Sequence, residues 1–142
     1  MSAEYSYVPV QTVADGDNIL FNNGDRACKC GYIAHRSGAG TFKLKGANTC
    51  CKAVYHVIFD ANIAIATGGT VGAISVAVQE DGETLTNTIA TVTPAAVGEF
   101  NHVSISAFIP VVCGCCASIS ISNVSGTPID VSNANIFFEK IV

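Results

Sequence analysis

Short apolar stretches that alternate residue by residue, each closed by Gly, Asn, Asp or Pro, run the length of the chain. In residues 74–79, Ile74, Val76 and Val78 fall on one side and Ser75, Ala77 and Gln79 on the other. In residues 102–109, Val103, Ile105, Ala107 and Ile109 share a face. In residues 118–123, Ile119 and Ile121 oppose Ser118, Ser120 and Ser122. A period of two is that of a strand with one buried face, and no segment shows a convincing 3.6-residue period. Composition agrees, with 14 Ile and 16 Val against three Leu. β-branched side chains are stiff in a helix and pack well on a pleated surface. Helical bundles, coiled coils and most α/β enzymes are therefore disfavoured.

Candidate strands are residues 5–13 (interrupted by Pro9), 18–21, 32–35, 41–44, 53–58, 63–66, 74–79, 84–92, 102–109, 118–123, 129–131 and 136–141. Asn23-Gly24 is read as a turn, and residues 95–99 as at most one helical turn. Asp81-Gly82 is a strong two-residue hairpin signal. About eight to eleven short strands with turn signals between them predict an all-β, antiparallel jelly-roll sandwich. At 142 residues the expectation is a single jelly-roll domain over 1–142, with a short extended N-terminal segment over about 1–13.

The formal net charge is −4, which argues against nucleic acid as a partner. Six of the seven Lys and Arg fall between residues 26 and 52, a stretch without an acid, and residues 53–139 contain no cation. One edge is thus basic and the remainder weakly acidic, an asymmetry that lets identical subunits attract head to tail. The outward strand positions are mostly Ser, Thr, Ala and Asn, which are easily desolvated. An isolated sheet normally carries charges there, so the pattern predicts a surface covered by other copies. No stretch of 18 apolar residues occurs, so no membrane partner is expected. The start, MSAEYSYVPV, lacks a basic stretch followed by an apolar run. The expectation is synthesis and folding in the cytoplasm without a signal peptide, with work outside a cell reached by lysis or in a particle.

Residues 35–40 (HRSGAG), 57–65 (VIFDANIAI), 67–72 (TGGTVG), 92–99 (VTPAAVGE) and 133–136 (NANI) carry a likeness. Over about residues 8–142 the chain resembles the jelly rolls of the tumour necrosis factor and complement globular-head superfamily. It is similar in particular to small stand-alone members from gut Clostridia and their prophages. These motifs specify a backbone rather than a chemistry. The resemblance implies a non-enzymatic homotrimer packed around a three-fold axis, with residues 135–141 near that axis. It makes Ile136, Phe137 and Phe138 the candidate core and interface residues, with Phe137 on one face and Ile136 and Phe138 on the other. It also implies a structural role, with a capsid or other virion protein as partner. A cross-linked spore-surface or appendage subunit and a receptor- or glycan-binding module are the alternatives.

Seven cysteines form three clusters: Cys28 and Cys30; Cys50 and Cys51; Cys113, Cys115 and Cys116. Three readings remain open: disulfides, zinc held by thiolates from two clusters, or reduced thiols. Adjacent Cys50 and Cys51 cannot bond each other without strain, and seven is odd, so one thiol stays free or bonds another copy. The spacings are not those of zinc knuckles. No cofactor is otherwise indicated. His35, His56 and His102 fall in no cysteine-protease signature, so no catalytic residue is assigned. Asp15, Asp17, Asn22, Asn23 and Asp25 crowd two turns, but they lack an EF-hand pattern and read as turn formers. Glu80, Asp81 and Glu83 surround an exposed hairpin tip rather than a cleft. Residues 68–72 are glycine-rich without the Lys of a phosphate loop. Asn123-Val124-Ser125 matches a glycosylation acceptor by chance spacing.

Overall fold

The structure, a computed structural model, describes residues 2–26, 31–46, 53–112 and 114–141. Among these lie twelve strands: β1 (Ser2–Tyr7), β2 (Gln11–Val13), β3 (Asn23–Arg26), β4 (Ile33–His35), β5 (Thr41–Lys45), β6 (Ala53–Ile65), β7 (Ile74–Glu80), β8 (Glu83–Thr84), β9 (Ala90–Val92), β10 (Asn101–Val111), β11 (Cys116–Asn123) and β12 (Ile129–Lys140). They form two antiparallel sheets. The first runs β10-β6-β12-β1-β3, with β2 also on β12; the second runs β4-β5-β11-β7-β8, with β9 also on β7. The order jumps across the sequence as a jelly roll requires, and the expected all-β sandwich is present.

Several boundaries differ from the sequence expectation. Residues 53–58 and 63–66 are one continuous strand, β6, because Asp60 and Asn62 keep the alternation and face outward while Phe59, Ala61 and Ile63 are buried. Residues 129–131 and 136–141 likewise join in β12. The register shifts between Ser132 and Asn135, and Asn133 takes a left-handed φ of 52°. That bulge absorbs the extra residue and lets Ala134 and Ile136 point inward again. Asn23-Gly24 lies in β3, paired with β1, rather than in a turn. Residues 18–21 contribute one bridge, Asn18 to Ser122, and no strand. The stretch 84–92 is interrupted by a 3₁₀ turn at Thr86–Thr88, whose Thr88 hydroxyl donates to the Leu85 carbonyl and accepts from the Val78 N–H. No helical turn forms over 95–99. The N-terminal segment is a full member of the first sheet, since β1 lies between β12 and β3.

The inward faces of both sheets make one core. Tyr5, Phe21, Phe42, Phe59 and Phe138 cluster at its centre, with Phe42 4.9 Å from Phe138 and 5.3 Å from Phe21 between ring centroids. His35 stacks on Phe42 at 4.2 Å, and its two ring nitrogens contact the Thr41 and Phe21 carbonyls at 3.0 and 2.9 Å. That side chain pins the segment before β3 to the β4–β5 hairpin. His35 is thus a structural tie between these segments.

Tyr55 is wholly buried, and its hydroxyl donates to the Lys45 carbonyl. Burial, with a smaller contribution from nearby Tyr32, pushes its pKa up to about 12, from an ordinary 10.0. A pKa raised by folding stabilises fully below pH 10 and is lost as pH rises toward 12. Denaturant titrations at pH 9 and pH 11.5 should show the loss of about 2 kcal/mol, and Tyr55→Phe should flatten that part of the profile.

Candidate self-association face

Alternation places one row of every strand of the first sheet on its outer side. Register then fixes the neighbours. Pro110 lies beside Val54; Phe108 beside His56, and His56 beside Glu139; Ser106 beside Ile58, then Phe137, then Glu4. Further along lie Ser104, Asp60, Asn135 and Ser6, and then His102, Asn62 and Ser132. One end of this face is therefore apolar, built from Val54, Ile58, Phe108, Pro110 and Phe137. Phe108 is 65% exposed, the most open of the large apolar side chains among the described residues. Its ring stacks on His56 at 5.0 Å, and the His56 Nε2 contacts the Ser106 hydroxyl at 2.8 Å.

The other end is polar, and its groups satisfy one another. His102 sits 3.5 Å from the Asp60 carboxylate and 3.3 Å from the Asn62 side-chain oxygen. The Asn135 amide donates to the Glu4 carboxylate at 3.2 Å. None of the three histidines faces a thiol among the described residues; His56 instead contacts the Ser106 hydroxyl on an open strand face.

The candidate residues separate as alternation required. Ile136 and Phe138 are fully buried inside the subunit, whereas Phe137 is half-buried and faces out. β12 is the middle strand of its sheet, flanked by β6 and β1. The sequence reading missed Phe108, whose signal is an aromatic residue in the register of Ser104 and Ser106.

Of the cysteines, Cys115 and Cys116 are exposed free thiols; Cys28, Cys30, Cys50, Cys51 and Cys113 lie outside the described residues. Among the described residues no group of three or more His, Cys, Asp or Glu is placed to hold a metal. The Asp15 carboxylate accepts from the Gly126 N–H at 2.8 Å, a tie between two loops far apart in sequence. Among the described residues no helix is long and apolar enough to cross a membrane.

No protein-family model and no curated protein matches the chain. Solved structures do. The globular domain of zebrafish complement 1qA is similar over 99% of this chain and 97% of its own, at 11% identity and a TM-score of 0.65. Eiger TNF from S. frugiperda is similar over 100% and 92%, at 12% identity and a TM-score of 0.72. Murine APRIL is similar over 99% and 100%, at 11% identity and a TM-score of 0.63. At such identity the likeness is one of backbone, with the full length of the sandwich aligned. The chain has a jelly-roll fold like that of these complement and tumour necrosis factor domains.

Proposed function

We propose that this chain is a non-enzymatic structural subunit that forms a homotrimer through the outer face of its β10-β6-β12-β1-β3 sheet and, as a trimer, decorates a bacteriophage capsid or forms part of a virion fibre. The observation that carries the self-association is the apolar end of that face. Phe108, Pro110 and Val54 lie together there, Ile58 and Phe137 pair on the other side of the His56–Glu139 row, and large exposed aromatics with aliphatic neighbours mark interaction surfaces. The fold supports the trimer, and the sparse charge elsewhere supports a durable, tightly packed role. The virion setting rests on the likeness to prophage jelly rolls. A second reading, a cross-linked spore-surface or appendage subunit, draws on the exposed thiols of Cys115 and Cys116.

Native mass spectrometry of the purified protein without reductant tests both. The expected result is a trimer at micromolar concentration that reductant does not change. A monomer would overturn the proposal, and a covalent ladder that collapses with reductant would transfer it to the cross-linked appendage.

A further inference from the structure

The second sheet presents a different kind of surface. Its outward positions between the edges are uncharged: Ser75, Gln79 and Ser118 are partly exposed, and Ala77 and Ser120 are buried. Its charges sit at the flanks. On the β4–β5 flank a wide groove of about 490 Å³ is lined by Ala34, Arg36, Thr41, Lys43 and, from β11, Ser118. Arg36 and Lys43 are exposed, and among the described residues neither makes an ion pair. On the opposite flank the β7–β8 hairpin carries Glu80, Asp81 and Glu83 around its tip, bordering a shallow hollow of about 350 Å³.

We infer that the Arg36–Lys43 groove receives the Glu80–Glu83 hairpin tip of a second copy, so that subunits link side by side through their second sheets. Four features carry this. The charges are complementary and lie on opposite flanks of one sheet, β4 and β8 being four strand spacings apart, roughly 19 Å. Within one copy, among the described residues, neither Arg36 nor Lys43 is paired with the tip: Lys43 is across from Ser118, and Asp81 lies one strand further on, roughly 10 Å from Lys43 along the sheet.

The tip is also held ready. Asp81 and Gly82 adopt left-handed φ values of 52° and 86°, the Asp81 N–H donates to the Ser118 carbonyl at 2.8 Å, and its carboxylate accepts from the Ser118 N–H at 2.9 Å. A fixed turn loses little freedom on docking. Finally, the surface between the flanks is uncharged, so a neighbour approaching along it strips no ion of water. Burial and the adjacent Asp81 charge hold the Glu80 carboxyl above its ordinary value, a crowding that a neighbour's cation relieves.

Groove and tip are different patches, so the contact is heterologous and propagates from copy to copy unless a ring closes. This leaves the first sheet free for the proposed trimer. It also leaves two edge strands, β4 and β8, facing each other across the junction.

The test is sedimentation velocity at about 0.02 M and about 0.5 M salt on four chains: the wild type, Lys43→Glu, Glu83→Lys and the chain carrying both. Both positions are exposed, and circular dichroism melts confirm that each variant folds. The expected result is association beyond the basic unit at low salt that disappears at high salt. Each single exchange should weaken it at least about tenfold. The double exchange, which returns the formal net charge to −4, should recover more association than either single exchange, since positions 43 and 83 are again opposite in sign while Arg36, Glu80 and Asp81 keep theirs. Failure of the double chain to recover overturns the inference, as does association indifferent to Lys43→Glu. Retention of inorganic polyphosphate on a wild type that shows no salt-dependent association would assign the groove to free anions and overturn it as well. The salt response is read from whatever unit exists, so a monomeric starting species would refute the trimer without touching this result.

Discussion

Phe138→Asp should leave no cooperatively folded protein. Phe138 is fully buried on β12, opposite Ala3 of β1 and Val57 of β6, with the Phe42 ring 4.9 Å and the Tyr5 ring 6.5 Å from its own. Truncating a buried Phe costs about 3–5 kcal/mol through lost burial and the cavity left behind. Aspartate adds a carboxyl to a fully buried position between apolar strands, where burying a charge or an unpaired polar group is costly. Set against a total stability of about 5–15 kcal/mol for a domain, the sum is most of what is available. The expected observation is loss of the denaturant transition and of soluble yield. Phe138→Leu keeps most of the volume and should unfold cooperatively, with a loss of about 1–2 kcal/mol. A folded Phe138→Asp protein would show that this side chain is not in the intra-subunit core, and would undo the inward assignment of β12.

That assignment was readable from sequence because β12 alternates cleanly over Ile136, Phe137 and Phe138. The same signal delivered the inward faces of β7, β10 and β11, where buried apolar residues recur at every second position. It failed where polar residues on the outward register resembled turn formers. Asp60 and Asn62 face out from the middle of β6, and Ser132, Asn133 and Asn135 surround the bulge in β12; both stretches looked like breaks and neither is one. The Asn18–Phe21 region misled in the opposite way: Ile19 and Phe21 are fully buried, yet the chain there makes one bridge and is otherwise held by hydrogen bonds outside any ladder. Local pattern reports burial, and burial does not require a strand.

Surfaces depend on pairing between distant segments, and that is not in the local pattern. The apolar end of the first sheet exists because Phe108 and Ile58, fifty residues apart, are brought onto neighbouring strands beside Phe137. The charge asymmetry along the chain was visible. Its conversion into a groove on one flank and an acidic tip on the other required the strand order β4-β5-β11-β7-β8. The cysteine clusters remain a sequence observation, apart from Cys115 and Cys116 at the start of β11.

Phe108→Asp should separate assembly from folding. The side chain is 65% exposed, lies on β10 at the edge of the first sheet, and touches the rest of its own subunit chiefly through the stack on His56. Its loss removes little from the subunit's core, so thermal or denaturant stability measured on an isolated subunit should change by less than about 1 kcal/mol. In an assembly built on this face the same ring would be desolvated against neighbouring copies. Aromatic side chains at the centre of such patches cost about 2–4 kcal/mol on truncation, and a carboxylate placed there adds a like charge from every copy around the axis. That corresponds to a weakening of about thirtyfold to a thousandfold, enough to turn a micromolar trimer into a monomer by native mass spectrometry. Phe137→Asp, two strands away in the same patch, should act in the same direction, whereas Ser104→Asp at the polar end should not. If Phe108→Asp stays trimeric, the copies meet elsewhere. If it fails to fold, the ring belongs to the subunit's own packing, and the outward reading of β10 is wrong.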